Sequence, residues 1–116
     1  MPYTIELISI RCNDAQERTD EPYLRVNNST VWGPVSMRTG QTRNINSRVE
    51  FRNDVVVELR ESDRRRDDHF GTLRLGESDV RGLIRGDRST LTHTFRRDRG
   101  IVGDARYTLT YDLHQV

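Results

Sequence analysis

Four carboxylates fall within a short span of this chain: Glu61, Asp63, Asp67 and Asp68. They follow a run in which Val55, Val57 and Leu59 share one parity, while Val56, Glu58 and Arg60 take the other. A side-chain period of two puts the first set on the buried face of a β-strand. The same parity reaches Glu61 and Asp63, so two acids point toward the edge of a core. Ionised groups resist leaving water and repel one another, so such a pair needs a partner. Asp67 and Asp68 return after Arg64-Arg65-Arg66, and Phe70, Leu73 and Leu75 begin another strand. A hard divalent cation held by oxygen ligands is one physical answer to such a cluster.

Other chemistry is thin. His69 stands beside Asp67 and Asp68 without a second histidine nearby, and reads as structural. His93 and His114 lie on separate strands without ligand spacing. The single cysteine, Cys12, excludes an internal disulfide and reads as a small buried hydrophobe. Nucleophile-elbow, phosphate-loop and helix–loop–helix calcium motifs are all absent from the sequence, and an enzyme is not expected. Trp32, before Gly33-Pro34, reads as a core or lid aromatic.

The elements that must position these residues are strands. At 116 residues the chain is expected to form one domain, 1–116, with a core of its own. Apolar residues make up 33% and charged residues 32%, so that core must be thin, as between two layers. All 19 basic residues are arginine, a bias read as GC-rich coding and hence a bacterial source. A net charge of +1 argues against a dedicated nucleic-acid binder. The first dozen residues lack the basic segment and long apolar run of a signal peptide, and no stretch has the length of a membrane-spanning helix. A cytoplasmic or peripheral membrane location is the expectation, with export by a non-standard route left open.

Tyr3–Cys12 is the first strand; Ile5 and Leu7 share one parity and Ile8 and Ile10 the other, which predicts a bulge, a strong twist or burial on both faces. Asn13–Asp20 is a polar loop, and Pro22 opens a strand over Tyr23–Val26. Asn27-Asn28-Ser29 turns into Thr30–Trp32, and Val35–Asn46 is ambiguous. Arg48–Phe51 and the strand opening at Val55 are close enough to suggest a hairpin. Gly76–Arg88 holds one helical turn or nothing regular, and Arg96–Asp104 is a charged loop. Thr90–Phe95 and Ala105–Leu113 alternate clearly, the latter through Tyr107, Leu109, Tyr111 and Leu113. About eight short strands with turns between them predict an all-β antiparallel sandwich or barrel.

With the strands in place, two segments resemble a known family. Thr19-Asp20-Glu21-Pro22-Tyr23-Leu24-Arg25-Val26 is similar to the Ser-Asp-Pro-Tyr segment that opens an early strand of C2 domains. Val55–Leu75 resembles that family's later signature, a strand ending Asp-x-Asp, a polar loop, then Asp-Asp-hydrophobic-hydrophobic-Gly, here Asp67-Asp68-His69-Phe70-Gly71. The closing Tyr107–Tyr111 is similar to the family's last strand. The resemblance implies an eight-stranded antiparallel C2-like β-sandwich whose loops at one end bind calcium and through it phospholipid headgroups. By position it makes Asp14, Asp20, Glu61, Asp63 and Asp68 calcium ligands. Glu21, inserted before Pro22, is an alternative to Asp20, and Glu61 stands where the family has aspartate.

Arg64, Arg65 and Arg66 then have two readings. They are a solvated run offsetting the acids, or they bind lipid headgroups, where each basic residue contributes roughly 1 kcal/mol. The implied function is calcium-dependent binding to an anionic phospholipid surface. The alternative is a calcium-independent sandwich for protein interaction or assembly, with its acids satisfied by arginine.

Overall fold

The computed structural model describes residues 2–62, 67–97 and 104–116. The chain runs β1 (Tyr3–Asp14), β2 (Pro22–Val26), β3 (Ser29–Trp32), β4 (Thr42–Phe51), β5 (Val55–Glu61), β6 (Asp68–Leu75), α1 (Glu77–Leu83), β7 (Arg88–Arg97) and β8 (Ala105–Gln115). Two antiparallel four-stranded sheets result, ordered β4-β1-β8-β7 and β3-β2-β5-β6. They pack face to face, as the alternating sequence requires of a β-sandwich.

The alternation read from the sequence is the alternation of burial. Val55, Val57 and Leu59 are buried from one sheet, and Tyr107, Leu109, Tyr111 and Leu113 from the other. The phase change in β1 is a bulge between Leu7 and Ser9, present in its pairing with both β4 and β8. Ile8 is the extra residue, and Ile5, Leu7, Ile10 and Cys12 all reach the core. Asn27 and Asn28 take positive φ angles of 48° and 71°, making the tight β2–β3 turn. The Asn27 backbone and side chain both bond Val56, locking that turn to β5.

One expectation is corrected. β4 and β5 do not form a hairpin: β4 pairs with β1, while β5 pairs with β2 and β6. The short Arg52–Asp54 connection carries the chain between sheets, so Phe51 and Val55 enter one core from opposite sides. Alternation reveals which face of a strand is buried but not its partner. The ambiguous Val35–Asn46 segment contributes strand from Thr42 onward, because β4 is an edge strand with one partner and a weak apolar stripe. Gly76–Arg88 holds a helix of seven residues, α1, anchored by buried Val80.

Candidate functional site

The topology collects the acids at one end. β1 and β5 finish there, and β2, β6 and β8 begin there. Asp20 lies between β1 and β2 in an isolated antiparallel bridge to Met37, with Asp20 N–H to Met37 O at 2.9 Å and the return bond at 2.8 Å. Glu61 is the last residue of β5 and pairs with Pro22 on one side and Asp68 on the other. The Ser62 N–H donates to Glu21 O at 2.9 Å, tying the two loops together.

Two of these acids are fully inside. Asp20 has no exposed surface, and its carboxylate accepts the N–H groups of Gln16 (2.9 Å) and Glu17 (3.1 Å) and the hydroxyl of Tyr107 (2.7 Å). It thereby closes its own loop and fastens it to β8. Glu61 is 2% exposed and accepts the Glu21 N–H at 3.3 Å. Burial pushes the Glu61 carboxyl up to about 7; the Glu21 N–H opposes this, and Asp20, Glu17 and Glu21 add repulsion. Burial also raises Tyr107 and Cys12, with Asp20 contributing to both, so these neighbours stay neutral and bring no positive charge.

The remaining candidates sit at the flanks. Asp14 is exposed and pairs with Arg106 at 3.1 Å. Asp68 lies 3.9 Å from Arg97, which also donates to His69 O at 2.7 Å. Asp67 accepts the hydroxyl of Tyr23. Asp63 and Arg64, Arg65 and Arg66 lie outside the described residues. The structure therefore brings Asp20, Glu21 and Glu61 together, adds Glu17 to their field, and holds Asp14 and Asp68 beside arginines. Glu17 and Tyr107 carry no signal in the sequence: the first is one polar loop residue among several, the second one inward residue of a regular strand.

The donor set can be tested against a hard cation. Among the described residues no ion pair reaches Asp20 or Glu61, in a chain of 19 arginines, whereas Asp14 and Asp68 each have one. Gln16 Oε1, in the loop that Asp20 closes, is a buried acceptor without a donor. Acids without a cationic partner and an orphaned carbonyl oxygen in the same loop system are the kinds of oxygen donor that calcium takes, although among the described residues no three acids of this end bring ligand atoms within 4.8 Å of one another.

A second cluster arises where the sequence showed none. Glu6, Asp112 and His114 place donor atoms within 4.8 Å of one another on the outer face of the first sheet. Cross-strand register brings them together, with Glu6 opposite Asp112. Arginines already serve both acids, Arg48 at 3.4 Å from Glu6 and Arg88 at 3.8 Å from Asp112, and Thr90 donates to Asp112. Its charges balance internally. His69 likewise has local partners, Thr72 at 2.9 Å and Glu58 at 3.7 Å.

No family model and no curated protein matches the chain. Solved structures do. A CC2D1B chain, from a study of mitotic reformation of the nuclear envelope, superposes with a TM-score of 0.61 at 15% identity, over 97% of this chain and 54% of that one. This chain thus spans about half of that relative's length. A structure described as that of a C2 domain gives 0.60 at 11% identity, over 98% and 96% of the two chains. The calcium-bound tandem C2 domains of extended-synaptotagmin 2 give 0.55 at 16% identity, over 97% and 44%. No helix among the described residues is long and apolar enough to cross a membrane. The sandwich and these superpositions show that the chain has a C2-like β-sandwich fold.

Proposed function

We propose that the acidic end of this C2-like module binds calcium and, through it, anionic phospholipid. The observation that carries the reading is the pair of buried acids, Asp20 and Glu61, left without a cationic partner among the described residues. Asp20, Glu21, Glu61 and Asp63 would hold the ion, with Asp14 and Asp68 joining if they exchange Arg106 and Arg97 for it. Bound calcium supplies the positive charge that draws an anionic headgroup to this end. Arg64, Arg65 and Arg66 add a salt-sensitive attraction of their own. A calcium-bound neighbour of the same fold supports the reading. The module is one domain over 1–116, working by binding rather than catalysis at a cytoplasmic membrane surface.

The test is a thermal melt in chelator, then in millimolar calcium, with magnesium as control. A ligand that binds only the folded state at about 100 times its dissociation constant adds roughly 2.7 kcal/mol. In a domain of this size that is a rise of several degrees. Asp63→Asn is expected to remove both that rise and calcium-dependent sedimentation with anionic liposomes; sedimentation unchanged in the variant sinks the site.

A second reading has its own support. Asp20 already takes three hydrogen bonds, and Asp14 and Asp68 have arginine partners. A domain so satisfied works without calcium, as a protein-interaction or assembly module. A melting curve indifferent to calcium decides for it.

A further inference from the structure

The loop end carries a second feature of opposite charge. A cleft of about 350 Å³ is lined by Thr19, Ser36, Arg38, Gln41 and Arg43. Its lining holds two arginines and no acid, and among the described residues neither arginine belongs to an ion pair. The volume falls at the lower end of small-molecule sites, roughly 300–1,000 Å³.

The walls are fixed by backbone bonds. Thr19 and Arg38 flank the Asp20–Met37 bridge, one residue away on each strand. The Arg38–Gln41 turn closes on itself twice, through Gln41 N–H to Arg38 O (3.1 Å) and Arg38 N–H to Gln41 Oε1 (2.9 Å). It also hangs on β1 through Cys12 N–H to Gln41 O (2.8 Å) and Gly40 N–H to Cys12 O (2.7 Å). Arg43 Nη2 donates to Ser36 O at 3.2 Å, which pins the guanidinium, and Arg43 Nε is buried with no acceptor. A buried cationic donor without an acceptor is rare in folded proteins. Held by Ser36 O and joined to no acid among the described residues, the Arg43 guanidinium keeps its charge uncompensated.

We propose that this cleft binds a phosphoryl oxyanion without calcium, with Arg38 and Arg43 supplying the charge and Thr19, Ser36 and Gln41 the polar wall. The guanidinium fork matches the geometry of phosphate oxygens. The group is the one shared by a lipid phosphomonoester and a soluble phosphate ester. The site stands independently of any cation at the acidic end.

The experiment uses the full chain in chelator throughout. Melts are compared in inorganic phosphate and in sodium chloride at matched ionic strength, for the wild type and an Arg38→Gln/Arg43→Gln variant. Phosphate stabilises folded proteins generally by exclusion from their surface, so the variant supplies the reference. The wild type is expected to rise several degrees further than the variant. Arg43→Lys keeps the charge but loses the fork, and is expected to weaken binding about tenfold. If the double variant does not fold, exposed Arg38→Gln alone serves.

A second arm sediments phosphatidylcholine vesicles containing phosphatidic acid. Sedimentation that inorganic phosphate competes away supports the site with lipid as its source. A phosphate-specific rise without sedimentation supports it with a soluble ester as its source. Equal rises in wild type and variant overturn the proposal, as does vesicle binding that survives both substitutions.

Discussion

Glu61 is where the electrostatics of this molecule concentrate. Its carboxyl ends a strand whose other inward residues are apolar, is 2% exposed, and is pushed up to about 7 by burial and then by Asp20, Glu17 and Glu21. The folded state therefore holds this proton more tightly than the unfolded chain does. The contribution to stability is full below the ordinary carboxyl value and is lost as pH rises through about 7. Glu61→Gln, which mimics the protonated form, is expected to flatten this slope and raise stability at pH 8 by up to about 3 kcal/mol. Melts of wild type and variant at pH 5 and pH 8 measure it; an unchanged pH slope in the variant refutes it. Calcium in the site would act in the opposite sense on the same group, stabilising the ionised carboxylate. The high-pH loss of the wild type should then shrink in calcium, while the variant responds less. Asp20 differs from Glu61 in its hydrogen bonds: three donors, two of them backbone N–H groups, converge on its carboxyl oxygens.

The loops are positioned by elements whose backbones leave little freedom. Gly33, at the end of β3, has φ +84°, and a Cβ there would lie 2.6 Å from Pro22 O and 2.9 Å from Tyr23 Cα. Neither backbone atom can move aside without shifting the start of β2, the strand that follows Asp20. Gly33→Ala combines a strained φ with that clash and is expected to cost about 2–4 kcal/mol. Denaturant unfolding of the variant checks it; a loss no larger than the roughly 0.5 kcal/mol typical of surface substitutions would show that the loop adapts. The bulge at Ile8 is the corresponding device in β1. It lets Ile5, Leu7, Ile10 and Cys12 all face inward along a strand of twelve residues. The outward acid of that strand, Glu6, then meets Asp112 across the sheet, where arginines answer both.

At the scale of the whole molecule, the sandwich holds its two sheets together near the same end. Phe70 of β6 stacks on Tyr107 of β8, with ring centroids 5.8 Å apart. Beside it, Gly71 lets Phe95 of β7 approach β6, since a Cβ there would meet the Phe95 ring at 3.0 Å. Phe70→Ala is expected to destabilise by about 3–5 kcal/mol, the usual loss for a buried aromatic. Because Tyr107 also donates to Asp20, the variant should weaken any calcium-induced rise as well. Urea unfolding with and without calcium measures both; a calcium response of full size in the variant would separate the aromatic contact from the acidic end. The molecule measures 43 × 25 × 24 Å, with acids and the arginine cleft together at one end and α1 at the other.

The strands, their inward faces and the sandwich were legible in the amino-acid order. Period-two burial is a local property, and Val55–Leu59 and Tyr107–Leu113 display it without help from the rest of the chain. The phase change at Ile8 left a bulge, a strong twist or burial on both faces open for the same reason, and the structure shows the bulge. Parity alone also brought Glu61 to the edge of the core. Which strands meet, and what each charged group faces, was settled by tertiary packing. β4 and β5, adjacent in sequence, part to opposite sheets, since alternation is the same whichever partner a strand takes. Arg106 reaches Asp14, Tyr107 reaches Asp20, and Arg43 is left without an acid because cross-strand register and loop bridges set those distances. Such pairings join residues up to 92 positions apart, beyond the reach of any local pattern.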